Sequence, residues 1–557
     1  MKTTLKIALK LLTVLLILLL SSPAWAATVY VKDTGAELPY YEVDAASCDA
    51  VTAADTNGAL ETALNASGTN GDLYVCEGTY SELELSDDNK LQFTHHGQTI
   101  RNVGTVILDA NGASTNAVIA VNRTSASIIG NGGEGSFVLT GGTTYGFSSY
   151  NSSTVGTIIV DGITVNEVGG ACCDGAGIFI QGVKFKVSGE VKNNFVRDVD
   201  RAGIVIKGHI NAITVDDNVV SDVGDNVGNV GFHGISINTP VITVASGGTL
   251  WADEDTGTGS HTHSFTEPGA YVVYDIVNET DNVNLTLNEG AFANLDTNEW
   301  DWEAGEIYVN IAKDPDDVVM VYAVEECSGV VATGNTVSGT VDDDTIEGHG
   351  IAFDGFNTGC SAVRNTITGN EGHGIQVNYG DSVELVGNII NSNLKSGIGL
   401  INPGTTTTII NNTIYNNTLH GIYNRSGRIV TVANNNIIDG NGAYGVSQEA
   451  VDGMSLDYNL WNDNDSGHVD GVAQGENKVE ADPLFVNAPG GNFWLGRESL
   501  AIDAGADLSG EGFTTDFNGV TRPKGEAWDI GAYEWGLPLS ISGGTLSISS
   551  GSLNILD

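Results

Sequence analysis

Basic residues are scarce in this chain. Among 557 residues there are 22 Lys and Arg against 70 Asp and Glu, a formal charge of −48. A surface of that sign repels nucleic acid and anionic membranes. It also repels a polyuronate, unless a divalent cation or a local basic patch intervenes. Long apolar runs are absent after residue 26, so no later segment reads as a membrane-crossing helix. Helical periodicity is missing from the central region, which argues against a helical or doubly wound fold there. Cysteine is sparse, with six residues.

The one long apolar run lies at the start. Lys2, Lys6 and Lys10 precede or enter Leu11–Leu20, and Ser-Ser-Pro-Ala-Trp-Ala follows, ending at Ala26. That pattern predicts a secretory signal peptide over 1–26 and a soluble, exported mature chain: secreted, periplasmic or at the cell surface. In an exported chain cysteines favour disulfides. Cys48 with Cys76 and Cys327 with Cys360 are the economical pairs, and the adjacent Cys172 and Cys173 suit a vicinal bridge. Spacing alone leaves the connectivity open.

What fills the chain instead is a repeat. Gly-Ile occurs at Gly177, Gly203, Gly234, Gly350, Gly374, Gly397 and Gly421, and Gly-Val at Gly445. A second column is an Asn before an apolar pair: Asn194, Asn218, Asn335, Asn365, Asn388, Asn412, Asn436 and Asn459. Its steps are 24, 117, 30, 23, 24, 24 and 23 residues, and both columns break at the same place. Each unit holds short segments of period two, such as Ile-Gln-Val and Val-Glu-Leu-Val, separated by Gly, Asn, Asp and Thr. Three short strands per unit of about 24 residues predict an all-β, parallel β-helix, a solenoid of roughly a dozen coils stacked about 4.8 Å apart. The Asn column is expected at a tight turn, tolerating the left-handed conformation and bonding to its neighbours above and below.

These repeats resemble the right-handed parallel β-helix repeat family of secreted proteins. Two segments add to the resemblance. Thr56–Glu82 looks like that family's capping helix and first strand. Asp482–Gly505 and Thr514–Trp535 look like the closing segment of its bacterial members. The resemblance implies the fold and export. It implies less about chemistry, because the family includes polysaccharide lyases, glycoside hydrolases and epimerases.

The resulting division is a signal peptide (1–26), an N-terminal cap with first coils (27–94), a first solenoid part (95–238), an inserted β-rich subdomain (239–325), a second solenoid part (326–480), a closing segment (481–535) and a Ser/Gly-rich tail (536–557). The insert leaves just after one Gly-Ile strand, and an Asp-rich loop, Gly339–Gly350, returns just before the next. Together they predict a walled groove over the Gly-Ile strands.

With the Ile side chains inward, the second and fourth residues after each Gly point outward. The second positions include Ser236 and Gln376. The fourth run Gln181, Lys207, Asn238, Asp354, Asn378, Ile401, Arg425 and Glu449. Amides and carboxylates at coil spacing suit the hydroxyls of an extended sugar chain, so Ser236, Asn238, Gln376 and Asn378 are expected to bind polysaccharide, with Trp300 and Trp302 stacking on rings from the insert. Asp354 is the one acid in the central positions, and Lys207 is a candidate base. His233, His349 and His373 precede the Gly at a corner. They are expected either to stack coil on coil or to serve as catalytic bases or metal ligands. The Gly-His-Gly at 348–350 resembles pectin-type glycoside hydrolases, but the Arg-Ile-Lys of that family is missing. Asp342, Asp343, Asp344 and Glu347 form a candidate Ca²⁺ site. The expected activity is polysaccharide binding, with cleavage by a lyase or hydrolase mechanism as an extension. The alternative is a noncatalytic surface or matrix protein.

Overall fold

The computed structural model describes residues 26–536 apart from short segments, among them 34–37, 82–90, 111–116, 171–174, 225–232, 288–298 and 342–347. Over 239–326 it describes backbone pairing and not side chains. The expected signal peptide and the tail after residue 536 therefore lie outside the described residues, as do Cys172 and Cys173.

The chain is a parallel β-solenoid built from three strand columns. The Gly-Ile column runs through Leu91–Phe93, Ala117–Asn122, Tyr145–Asn151, the first halves of Ala176–Lys192 and Ala202–Asp216, Ile235–Thr239, Ile351–Gly355, Ile375–Asn378, Ile398–Asn402, Ile422–Asn424, Tyr444–Gln448 and Gly467–Asp470. Among the described residues that is twelve strands, each paired in parallel with the next. Period two sends one residue in two inward. Ile204, Ile235, Ile351, Ile375, Ile398 and Ile422 are all fully buried and lie one above another. Each such side chain contributes roughly 1.5–3 kcal/mol when taken out of water.

Glycine precedes these isoleucines because neighbouring coils leave no room. A Cβ on Gly374 would sit 2.4 Å from Ile390 Cγ2, 2.7 Å from the Gly397 carbonyl oxygen and 2.8 Å from Asn393 Nδ2. The carbonyl is backbone of the next coil and cannot swing aside.

The expected asparagine column is present as a buried ladder. Asn365 Nδ2 donates to Asn388 Oδ1 at 2.9 Å, Asn388 to Asn412 at 2.9 Å and Asn412 to Asn436 at 3.0 Å. Each Oδ1 also accepts the backbone N–H of the preceding ladder residue. One detail differs from expectation. The left-handed residue is the one before each ladder Asn: Asn193, Asp217, Arg364, Asn411, Asn435 and Tyr458 have φ between 50° and 57°. That residue turns the corner, and the turn is what directs the following amide into the core.

The insert splits the solenoid without disturbing it. Ile235 pairs with Ile351 and Asn238 with Asp354, across more than a hundred residues of sequence. Its first strand, Val241–Ser246, pairs antiparallel with its last, Val319–Glu325, so the insert leaves and returns at one point. Those strands join Tyr271–Asn278 and Val283–Asn284 in one four-stranded sheet. A second sheet has five strands, including His261–Thr266, Glu299–Glu303 and Glu306–Ile311.

The ends are closed differently. The helix Leu60–Ser67 buries Leu60, Ala63 and Leu64 over the first coils. Nearby, Cys48 and Cys76 form a disulfide. The second expected bridge is absent: Cys327 and Cys360 are free, buried thiols on adjacent coils. The Cys360 thiol points at two carbonyl oxygens, of Cys327 and Thr358, each 3.8 Å away, and its hydrogen bond with the Cys327 thiol pulls its pKa down. At the far end the segment after residue 481 packs Ile530, Phe493 and Ala532 on Ile389, Ile437 and Leu460. It is pinned by Arg522, whose Nη1 lies 2.7 Å from Glu534 Oε1 with both side chains buried.

Candidate functional site

The fourth positions after Gly form one register row. Gln181 pairs with Lys207, Lys207 with Asn238, Asn238 with Asp354 and Asp354 with Asn378. All five are half-exposed. The structure thus brings Lys207, Asn238, Asp354 and Asn378 together on four successive coils, beside the point where the insert departs. Ile401 was expected next, but a register shift after Val377 pairs Asn378 with Asn402 instead. That shift is a β-bulge in the backbone pairing.

The second positions behave otherwise. Phe179, Ser236, Ala352 and Gln376 were expected at the surface, yet all are less than 9% exposed. Aromatic rings from the corner account for the cover where contacts are resolved. A Cβ on Gly399, in the same row, would lie 2.7 Å from the His373 ring. Gln376 still reaches the exposed row, with its Nε2 3.4 Å from Asp354 Oδ1. Ser236 is covered and stands two residues before the row member Asn238.

The corner histidines stack. Ring centroids of His233 and His349 are 5.1 Å apart, and those of His349 and His373 5.2 Å. The stack continues through Tyr423, His420 and Tyr444. Hydrogen bonds explain why histidine suits the place. His349 Nδ1 accepts the His373 backbone N–H at 2.9 Å, His373 Nδ1 that of Ser396 at 3.2 Å, and His420 Nδ1 that of Tyr444 at 3.3 Å. Each ring ties its coil to the next, and the bond assigns the proton to Nε2. Burial, then the neighbouring imidazoles and Lys395, push His349 well below the usual histidine range. Burial also lowers His420. The accepting nitrogen of His349 and of His373 is already committed to backbone, so neither can take a proton or a metal there without breaking a coil contact.

His233 differs. Its Nε2 lies 3.3 Å from Asp354 Oδ2, while its Nδ1 is buried with no hydrogen-bond partner among the described residues. Asp354 is therefore held from both sides, by His233 and by Gln376. Among the described residues no group of three His, Cys, Asp or Glu is arranged to hold a metal ion. The Ca²⁺ candidates Asp342, Asp343, Asp344 and Glu347 lie outside the described residues. Trp300 and Trp302 belong to the strand Glu299–Glu303, and their side chains lie outside the described residues.

Sequence reasoning missed a second buried ladder. Asn370, Asn393, Asn417, Asn441 and Asn464 link side chain to side chain at 2.8–3.0 Å. Each stands five residues after a member of the first ladder, a spacing readable in the sequence. It fixes the corner that carries the histidines.

A family-model match supports the architecture. Residues 322–437 match the family model described as a right-handed β-helix region. No curated protein sequence matches the chain. Among solved structures, pectate lyase Pel9A is similar at 12% identity and a TM-score of 0.45, over 91% of this chain and 96% of that one. The A-module of Azotobacter vinelandii mannuronan C-5 epimerase AlgE6 is similar at 13% identity and a TM-score of 0.32, over 76% and 94%. An alginate lyase from Paenibacillus sp. is similar at 11% identity and a TM-score of 0.32, over 75% and 96%. Likenesses this distant carry nothing about chemistry.

Proposed function

We propose that this chain is an exported protein that binds an extended polysaccharide along the row from Gln181 to Asn378. One observation carries the reading: five half-exposed amide, ammonium and carboxylate side chains repeat at coil spacing, about 4.8 Å, on one face. A periodic row of donors and acceptors fits a periodic polyhydroxy ligand. Asp354, oriented by His233 and Gln376, is the anchoring acceptor. Export rests on the N-terminal segment, with its three lysines, apolar run and small-residue end.

Cleavage is the second reading, and Lys207 favours it. Hydrolysis calls for two carboxyls across the scissile bond, and the described row offers Asp354 alone. Elimination calls for a base and a group that neutralises a uronate, and Lys207 stands two coils from Asp354, about 10 Å away. The Asp-rich loop would supply Ca²⁺ in that reading.

A glycan screen of the mature protein, run with Ca²⁺ and with chelator, tests both. Binding should be saturable and weaken at least tenfold in Asp354→Asn and Lys207→Ala. New unsaturated ends, lost in both variants, would establish a lyase. If nothing binds, the row is an ordinary solvated face and the proposal falls.

A further inference from the structure

A cavity of about 470 Å³ lies on a different face, far from the proposed polysaccharide row. Its floor is the outer face of the second strand column, where Val331–Thr333, Ser361–Val363 and Val386 follow one another. Its roof is the Gly512–Thr515 stretch of the closing segment. That size falls within the range of small-ligand sites, roughly 300–1,000 Å³.

The chemistry of the lining is mixed. Arg364 and Glu384 both face it, and neither takes part in an ion pair within 4.0 Å among the described residues. Burial, then the Glu511 charge, raises the Glu384 carboxyl above its usual range. Asn411 belongs to the wall. It is 2% exposed, and its Nδ2 is spent on the carbonyls of Asp529 and Gly531 at 3.1 and 3.2 Å. Its Oδ1 is buried, with no hydrogen-bond partner among the described residues. Glycine at 359 and 512 keeps the space open: a Cβ there would meet nothing within 4 Å.

We propose that this cavity is a second, independent ligand site that takes a single neutral sugar ring. Glu384 accepts hydroxyl protons. Arg364 donates to hydroxyl or ring oxygen. Ser361, Thr333 and Thr515 serve in either direction, and Val363, Val386 and Phe513 pack against the C–H face. A cation or an anion is disfavoured, because either meets one of the two unpaired charges with the wrong sign. An amino-acid zwitterion would satisfy both charges, but it would leave the hydroxyls and the apolar floor without partners.

The test uses saturation-transfer NMR on the full mature protein. The probes are D-glucose, D-galactose, D-mannose, D-xylose and N-acetyl-D-glucosamine, with glycine and L-glutamate beside them, and calorimetry supplies Kd. At least one sugar should bind, weaken about tenfold or more in Glu384→Gln and in Arg364→Gln, and bind unchanged in Asp354→Asn. Thr515→Val, on the roof, replaces either variant that melts early. The proposal is overturned if no sugar binds, if the pocket variants leave Kd unchanged, if Asp354→Asn abolishes binding, or if the amino acids bind instead. The Asp354→Asn arm separates failure of this site from failure of the polysaccharide row.

Discussion

Replacing Asn388 by alanine tests the ladder at its most regular point. Asn388 is fully buried and makes four side-chain bonds. Its Oδ1 accepts from Asn365 N and Asn365 Nδ2, both at 2.9 Å. Its Nδ2 donates to Ala362 O at 2.8 Å and to Asn412 Oδ1 at 2.9 Å. Alanine leaves the Asn365 N–H without its acceptor and takes a donor from the Ala362 carbonyl, both in the core. At about 1–3 kcal/mol per buried orphan, the loss is roughly 3 kcal/mol, before any cavity effect. Asn391→Ala is the control. Asn391 is half-buried and has one such bond, to Thr368 Oγ1 at 2.9 Å, worth about 1 kcal/mol. Urea unfolding followed by circular dichroism gives the global loss. Hydrogen exchange over residues 362–370 gives the local one, since coils contact only their neighbours and can open separately. If Asn388→Ala costs less than about 1 kcal/mol, or no more than the control, the ladder is decoration and the reasoning fails.

Two further outcomes follow from close contacts and burial. Gly374→Ala forces a methyl against Ile390 and the Gly397 carbonyl, and should lose about 2 kcal/mol or more in the same urea experiment. Gly133→Ala, where nothing lies within 4 Å, should change stability by less than about 0.5 kcal/mol. Asp439 supplies a pH test. Burial pushes its carboxyl up to about 6, and the Asp482 and Asp463 charges add to the shift against a bond from Asn462. The folded state then holds its proton more tightly than the unfolded chain does. This stability is present in full below about pH 4 and is lost as pH rises through about 6, so that roughly 2–3 kcal/mol of it has gone by neutral pH. Asp439→Asn should stabilise the chain at pH 7 and flatten the stability slope between pH 4 and 6. An unchanged slope would refute the assignment.

The strands and the inward isoleucines were legible because each obeys a period that the eye can count. Ile235 pairs with Ile351 as the Gly-Ile alignment requires. The row Lys207–Asn238–Asp354–Asn378 was legible for the same reason. What failed was whatever period alone does not encode. Period two places Gln376 outside, but it cannot say that the neighbouring corner carries rings large enough to cover that row. The ladder Asn was expected in the left-handed turn itself, whereas the residue before it does the turning, and at those positions Arg364 and Tyr458 give no compositional hint. Cys327 and Cys360 stand on adjacent coils as expected. Proximity does not dictate a bond, and the two sulfurs meet as hydrogen-bonded thiols. The sugar-sized cavity escaped because it exists only where the closing segment folds back over coils far from it in sequence.

The insert has a consequence for how the chain reaches its fold. Stacking Asn194 on Asn218 closes a loop of 24 residues, whereas stacking Asn218 on Asn335 closes one of 117. The added closure entropy is about 1.4 kcal/mol, modest because it grows only with the logarithm of length. In time it weighs more, since distant pairings are slow to find. The coils before Asn218 and those after Asn335 can each zip from their own nuclei, and the seam between them becomes the late step. Antiparallel pairing of Val241–Ser246 with Val319–Glu325 brings the two edges of that seam together, so a pre-folded insert acts as the clasp that lets two half-solenoids become one.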